Sequence, residues 1–108
     1  MSLDKCDIVD AVGIEKTSDT AVLSIVDSWD WEDERRHLTA LQEKLNAYFR
    51  FVESGQIYES YPDAVGKGLR IDIVGRYPVP VTGLAFLEKA SAAASRLRML
   101  VTHRVHVG

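Results

Sequence analysis

The chain has 108 residues and a mass of 12.1 kDa, which is the usual size of one domain. Apolar residues make up 46% and charged residues 27%, values that exclude a disordered or low-complexity chain. No apolar stretch approaches the roughly 20 residues of a membrane-spanning helix, and no secretory leader opens the sequence. The single cysteine, Cys6, excludes an internal disulfide and suits a reducing cytosol. We therefore expect one cytoplasmic domain over residues 1–108, with residues 1–5 mobile or partly a cloning remnant.

Charge is divided unevenly along the chain. The net charge of −3 disfavours general binding to nucleic acid or to anionic membranes. Residues 1–64 hold 14 acidic and 6 basic side chains, whereas residues 65–108 hold 2 acidic and 7 basic ones. Two interpretations remain open: the halves neutralise each other in the folded domain, or the chain meets a charged partner or its own copy.

Two runs rich in β-branched residues, 8–14 and 21–27, open the chain. Polar turn formers at residues 16–20 separate the runs, so the pattern predicts a β-hairpin. One face of the first run carries Ile8, Asp10, Val12 and Ile14. Both faces of the second run are largely apolar, which predicts an interior strand.

A long amphipathic helix is predicted over residues 31–54. Its apolar side chains recur at steps of three and four residues and form one stripe: Leu38, Leu41, Leu45, Tyr48, Phe49 and Val52. Asp30 is the predicted N-cap, and acidic residues follow it in the first turn, where the helix dipole favours them. Gly55 is predicted to take the left-handed conformation that ends the helix.

The segment after this helix contains turn signals. Residues 56–61 are predicted to be extended or irregular, because Pro62 excludes Tyr61 from the helical conformation. Residues 66–68, Gly-Lys-Gly, resemble part of a phosphate-binding loop. They lead into a strand rather than into a helix N-terminus, so the pattern favours a simple turn.

The last 40 residues complete the predicted fold. Residues 69–77 alternate between apolar and polar side chains and predict a strand that Pro78 ends. Thr82 is the predicted N-cap of an alanine-rich helix over residues 82–98, and residues 99–107 predict a final strand. The order β-β-α-β-α-β predicts an α+β two-layer sandwich, in which two helices cover one face of a four-stranded sheet.

The three histidines do not form a metal-binding pattern. His103 and His106 are three residues apart on a predicted strand, so their side chains point to opposite faces. No second histidine or cysteine stands at ligand spacing from His37. We predict structural histidines and assign no metal, no cofactor and no catalytic residue from the sequence.

Two tryptophans within an acidic run, residues 27–34, are the most unusual feature of the sequence. Trp29 and Trp31 flank Asp30, and together they are predicted to form either of two structures. One is an exposed amphipathic rim that docks on a basic protein surface. The other is a staple that holds the start of the helix against the core while the acidic residues serve its dipole. The exposure of the two indole rings decides between them.

A second set of candidate residues flanks the apolar stripe of the long helix. His37, Gln42 and Asn46 lie along the stripe, and Tyr58 and Tyr61 follow the helix. These side chains are candidates for a cleft that binds a small ligand between the helix and the sheet. The alternative is that the polar groups bond to neighbouring backbone and that the tyrosines lie at the edge of the core.

Residues 31–62 carry an extended signature of aromatic and polar residues. It consists of Trp31, Glu32, His37-Leu38, Leu41-Gln42, Lys44, Asn46, Tyr48, Phe51, Ser54-Gly55, Tyr58 and Tyr61-Pro62. This signature resembles that of a family of short bacterial proteins known only as a domain of unknown function. Val9-Asp10 and residues 23–27 are similar to the opening of the same family. The resemblance implies a small bacterial cytoplasmic protein and carries no activity, ligand or catalytic residue.

Three functional hypotheses follow from the sequence. The first is a non-enzymatic protein-interaction module, similar to an immunity or antitoxin protein, that binds a basic protein surface or its own copy as a homodimer. The second is a ligand-binding or enzymatic cleft between the first helix and the sheet. The third, which the net charge disfavours, is nucleic-acid binding through Arg70, Arg76 and Arg104 on one sheet face.

Overall fold

A computed structural model of the chain describes Leu3, Val9 and residues 11–106. Its strands are β1 (Ala11–Glu15), β2 (Thr20–Asp27), β3 (Gly68–Gly75) and β4 (Met99–Val105). Its helices are α1 (Glu34–Glu53), α2 (Gln56–Ser60) and α3 (Val81–Ser95), with a short 3-10 turn at Pro62–Ala64 before β3.

The strands lie side by side in chain order, β1-β2-β3-β4, in one mixed sheet. β1 and β2 form the predicted antiparallel hairpin, whereas β3 runs parallel to both β2 and β4. Each parallel connection returns through a long helix, α1 before β3 and α3 before β4. The predicted α+β sandwich of order β-β-α-β-α-β is confirmed, and so is the interior position of β2.

One core lies between the sheet and the inner sides of α1 and α3. Its main members are Leu23, Ile25, Ile71, Ile73 and Met99 from the sheet and Leu41, Leu45, Tyr48, Leu87, Ala90 and Ala94 from the helices. The Tyr48 hydroxyl donates a hydrogen bond to the Ser24 carbonyl at 2.5 Å and ties α1 to β2. Leu3 is also buried in this core, whereas residues 1, 2, 4 and 5 of the chain start lie outside the described residues.

The predicted N-cap of the long helix is wrong. The helix begins at Glu34, and the Asp33 side chain caps it by accepting from the backbone N–H of Arg36 at 3.1 Å. The carboxylate of Asp30 instead accepts from the backbone N–H of Glu32 at 3.1 Å and closes a local turn. Both aspartates have a suitable side chain, so the position of the first helical turn decided which one caps.

The prediction of an extended or irregular segment over residues 56–61 is wrong. Gln56–Ser60 form the short helix α2, because Gly55 turns the chain with φ of 80° and Ile57 is fully buried beneath it. Tyr61 leaves the helical conformation before Pro62, as predicted. Burial of one isoleucine side chain therefore outweighed the weak local preference of this segment.

The second long helix also begins and ends differently from its prediction. Pro80 rather than Thr82 is its N-cap residue, and the Thr82 hydroxyl donates instead to the Glu34 carboxylate of α1. The helix ends at Ser95, and Arg98 takes a φ of 58° that turns the chain into β4.

The predicted strands match the observed ones apart from their ends. The predicted starts of the second and third strands differ from the observed starts by one residue, and the third ends at Gly75 rather than at residue 77. Ile8, Asp10 and Val107 of the first and last predicted strands lie outside the described residues.

Replacing Gly55 by alanine is expected to lower the free energy of unfolding by about 1 kcal/mol, because an L side chain disfavours the left-handed conformation. Space is not the cause, since a Cβ atom there would meet nothing within 4 Å. Gly13→Ala is the matched control: that site is equally open, but its backbone is that of a strand. Urea denaturation of both variants measures the difference, and an equal effect of the two would contradict this explanation.

Candidate functional site

The carboxyl ends of β2 and β3 meet the first turns of α1 and α3 at one end of the sandwich. Ligands of parallel sheets commonly bind at this end. Asp27 is the last residue of β2 and has the same inward orientation as Leu23 and Ile25. The first turn of α1 brings His37 against Asp27, so a carboxylate and an imidazole meet at this end of the sandwich.

Asp27 and His37 form a buried pair. Their side chains are 5% and 1% exposed, and Nε2 of His37 lies 2.5 Å from Oδ2 of Asp27. The other ring nitrogen, Nδ1, lies 2.8 Å from the carbonyl oxygen of Asp30. Oδ1 of Asp27 accepts from the backbone N–H of Trp29 at 3.2 Å. Both nitrogens of the imidazole ring are therefore engaged within the protein.

These contacts define where the protons lie. A carbonyl oxygen only accepts, so Nδ1 of His37 carries a proton and donates it to Asp30. The contact between Nε2 and Oδ2 needs a second proton between the two atoms, and that proton belongs to the His37–Asp27 pair as a unit. Burial raises the pKa of the Asp27 carboxyl, while its hydrogen bonds to His37 and Trp29 oppose the rise.

Two indole rings enclose the His37 ring. Trp31 stacks on it with ring centroids 3.6 Å apart and planes at 13°, and Trp29 meets it edge-on at 5.8 Å. The guanidinium of Arg36 lies 5.1 Å above the Trp29 ring. On its other side Trp31 contacts α3, where a Cβ on Gly83 would lie only 3.1 Å from the indole.

The arrangement stabilises the fold rather than exposing a reactive group. The cleft beside Asp27, Trp31 and Tyr77 has a volume of about 10 Å³, which is room for about one water molecule. A general base needs a free lone pair within hydrogen-bond reach of its substrate, and neither nitrogen of His37 offers one. The pair instead joins the end of β2 to the start of α1.

The structure brings together only half of the residues that the sequence singled out. Trp29, Asp30, Trp31 and His37 form the cluster just described, with both indole rings partly buried and the Asp30 side chain exposed. The side chains of Gln42 and Asn46 are exposed on α1. Tyr58 and Tyr61 are 36% and 38% exposed in and after α2, where the Tyr61 ring meets Phe51 edge-on at 6.3 Å.

The pairing of Asp27 with His37 is not among the predictions made from the sequence. Two separate sequence patterns indicate that both side chains are buried. Asp27 continues the inward alternation of Leu23 and Ile25 on β2. His37 likewise precedes the buried Leu41 by four residues on the helix. A carboxylate and an imidazole that are both in buried positions are expected to pair, since an unpaired buried charge is costly.

The sheet face opposite the helices is the second candidate surface, and no helix of the described part of the chain covers it. It carries Val22, Ser24, Val26, Val74, Leu100 and Thr102 together with four charged side chains. Arg70 binds Glu15 at 2.9 Å and Arg104 binds Asp72 at 3.3 Å, and the bond from Arg70 lowers the pKa of Glu15. Arg76, the third arginine of the nucleic-acid hypothesis, follows the end of β3.

β4 forms one edge of the sheet and, among the described residues, pairs with β3 alone. The N–H of His106 donates to the Gly75 carbonyl at 2.8 Å, so the even-numbered residues of this segment point their backbone groups toward β3. The odd-numbered residues Val101, His103 and Val105 point theirs outward. The Ser91 hydroxyl donates to the Val101 carbonyl at 3.4 Å and shields the first part of this edge.

A model of a family of unknown function, DUF6572, matches residues 1–107 of the chain. No curated protein and no solved structure matches the chain. In residues 11–106, no helix is long and apolar enough to cross a membrane.

Proposed function

The chain belongs to DUF6572, a family of unknown function, and we propose that it is a non-enzymatic protein-interaction module. Its binding site is the outer edge of β4, where an extended segment of another protein chain adds to the sheet. The observation that carries this proposal is the outward direction of the backbone N–H and C=O groups of His103 and Val105. Strand addition at such an edge is a general mode of protein recognition.

The side chains around this edge support the proposal. Leu100 is 66% exposed and Val105 is 41% exposed. A strand edge with exposed aliphatic side chains tends to pair with another strand. The open sheet face continues the surface with Val26 and Val74. Parallel strands normally have both faces covered, so a partner that reaches over this face would complete a common arrangement.

The buried acid–base pair supports a role without catalysis. His37 is the one histidine with a carboxylate at hydrogen-bond distance among the described residues, and it is inaccessible to a substrate. The residues of the hypothetical ligand cleft are also dispersed, since Gln42 and Asn46 point to solvent from α1. We therefore prefer the interaction module to the ligand-binding or enzymatic alternative.

The acidic start of α1 supports a more specific version of this proposal, in which the partner presents a basic surface. Asp30, Glu32, Asp33 and Glu34 are all exposed there, and the net charge of the chain is −3. A small acidic protein that binds a basic one would act in the manner of an immunity or antitoxin protein. The single cysteine and the family resemblance support placing this module in the bacterial cytoplasm.

His103→Pro is expected to weaken partner binding while the domain stays folded. Proline removes the outward N–H of residue 103, which β4 does not use for pairing with β3, and prolines are tolerated at such edge positions. His103→Ala is the matched control, because it removes the imidazole and keeps the N–H. Proteins captured from a bacterial lysate are identified and purified, and their affinity for both variants is measured by calorimetry.

We expect about a tenfold or greater loss of affinity for His103→Pro, since strand addition loses its central hydrogen bonds. The His103→Ala variant is expected to bind within a few-fold of the unmodified chain. Equal affinities of the two variants for the purified partner would refute the proposal. A chain that binds neither a purified partner nor its own copy would also refute it.

A further inference from the structure

We infer that the segment added at the edge of β4 is an amphipathic strand of another protein, with acidic side chains toward the open sheet face and aliphatic side chains toward α3. The inference rests on the proposed function, because it names the chemistry of the partner at the same edge. The side chains that border this edge differ between the two faces of the sheet, both in apolar character and in charge.

The side chains of β4 alternate between the two faces. Its even-numbered residues lie on the open face, where Arg104 is adjacent to Val74 of β3. Its odd-numbered residues lie on the helix side, where His103 is adjacent to the buried Ile73. A strand that pairs with β4 alternates in the same way, so its successive side chains meet these two surroundings in turn.

The helix side of the edge suits aliphatic side chains. The Ser91 hydroxyl of α3 donates to the outward carbonyl of Val101, so this side of α3 lies along the edge. Leu84 is two helical turns before Ser91 and therefore on the same side of α3. Leu84 is 43% exposed, and Val105 at the same end of the sandwich is 41% exposed. Glu88 lies between Leu84 and Ser91, and it would repel an acidic side chain placed there.

The open face of the edge suits acidic side chains. The side chain of Arg104 is 61% exposed, whereas that of its partner Asp72 is only 14% exposed. Arg76 follows β3 beside the end of β4, and Arg96 and Arg98 precede the start of β4. These three arginines are exposed, and no ion pair joins them to a carboxylate of the described residues.

The acidic start of α1 does not neutralise this basic edge. It follows β2, which is two strands from β4 and so about 10 Å away. Exposed charges are largely screened beyond about 8 Å at physiological salt concentration. The uneven charge of the sequence therefore stays separated in the fold, and a partner that contacts both regions would carry an acidic strand beside a basic surface.

The backbone of the edge favours a polypeptide over a nucleic acid as the ligand. His103 and Val105 each present one outward N–H and one outward C=O group. A strand supplies acceptors and donors in the matching order, whereas phosphate groups only accept and would leave the carbonyls without donors. The net charge of −3 also opposes the approach of a polyanion.

Two short capped peptides test the charge of the added strand. One alternates Val and Glu, and its matched control carries Lys in place of every Glu. Each is titrated at low salt into the isotope-labelled full chain, and binding is measured from the chemical shifts of the backbone amides. We expect the Glu peptide to bind about tenfold more tightly than the Lys peptide. Its largest shift changes are expected at the N–H groups of His103 and Val105, and His103→Pro is expected to weaken its binding.

Arg104→Gln and Arg35→Gln form a matched pair of variants, because each removes one exposed cation and only Arg104 lies at the edge. Arg104→Gln is expected to weaken binding of the Glu peptide about three- to fivefold, the usual effect of one exposed ion pair. Arg35→Gln is expected to change it by less than about twofold, since α1 lies beyond the range of an unscreened charge. The amide spectra of both variants show that the domain is folded.

Several results would overturn the inference. Equal affinities of the Glu and Lys peptides, both weakened by His103→Pro, would remove the acidic preference and leave the proposed function intact. A purified partner that is sensitive to His103→Pro but not to Arg104→Gln would do the same. Displacement of the Glu peptide by a single-stranded oligonucleotide at lower concentration would identify nucleic acid as the ligand. Shifts of the β4 amides with protein concentration alone would identify a second copy as the occupant. A purified partner insensitive to His103→Pro would overturn the inference and the proposed function together.

Discussion

Replacing His37 with alanine is expected to lower the free energy of unfolding by about 3–5 kcal/mol, the usual effect of removing one partner from a buried ion pair. The substitution removes the hydrogen bond between Nε2 and the Asp27 carboxylate, which is only 5% exposed in the unmodified chain. It also frees the Asp30 carbonyl and removes the ring on which Trp31 stacks. Urea denaturation followed by circular dichroism measures the loss.

Asp27→Asn is the matched control for this prediction. An asparagine amide can donate to Nε2 of a neutral His37, so we expect this variant to lose no more than about 1.5 kcal/mol. The pH dependence of the unmodified chain is also informative, because burial raises the pKa of Asp27 in the folded state above its usual value of 3.8. The folded state then holds this proton more tightly than the unfolded state does. The contribution of Asp27 to stability is therefore present below pH 3.8 and lost as pH rises through the folded pKa.

The D27N variant should lack this part of the pH dependence. A loss for His37→Ala no larger than that for D27N would contradict the assigned role of the pair. It would mean that the ring contributes packing volume alone and that the charged groups contribute nothing specific.

Replacing Trp31 with alanine is expected to destabilise the domain by about 3 kcal/mol, at the lower end of the range for large aromatic side chains because the ring is only partly buried. The indole fills the space between His37 and Gly83 and so joins α1 to α3. The measurement is again the midpoint and slope of urea unfolding. Gln42→Ala, at an exposed position of α1, is expected to change stability by less than about 0.5 kcal/mol.

Gly83→Ala tests whether the loss comes from this contact. Its Cβ would lie 2.5 Å from a methyl group of Val79 and 3.1 Å from the Trp31 ring, so overpacking is expected to cost about 1–3 kcal/mol. Removing the indole relieves part of this crowding, and the double variant should therefore be more stable than the sum of the two effects predicts. Strict additivity would show that Trp31 does not press on α3 as the structure has it.

The structure distinguishes the two interpretations of the tryptophan-acid run, residues 27–34. Trp31 stacks on the buried His37, and Trp29 is partly buried and packs against the core. This geometry favours the staple over the docking rim. The acidic side chains of Asp30, Glu32, Asp33 and Glu34 are exposed beside them. The predicted rim therefore keeps its negative charge at the surface, whereas its two tryptophans are partly buried.

Elements whose burial repeats with a local period can be predicted from the amino-acid sequence. The stripe of Leu41, Leu45 and Tyr48 identified α1, and the two apolar faces of β2 identified an interior strand. Gly55 marked the end of α1 because only local backbone geometry is involved. Such features depend on neighbours within a few residues, which a single sequence displays directly.

Contacts between residues that are distant in the sequence depend on how the helices pack on the sheet. Asp27 and His37 pair because β2 and α1 pack at a particular distance and angle, and nothing in the spacing of ten residues requires it. Packing of Ile57 made α2 a helix, and the placement of α1 chose Asp33 over Asp30 as its cap. Among the described strands, β4 likewise lies at the edge because the strands line up in chain order. Contacts between separate elements depend on how whole surfaces fit together, and that information is distributed over the chain rather than written at any one position.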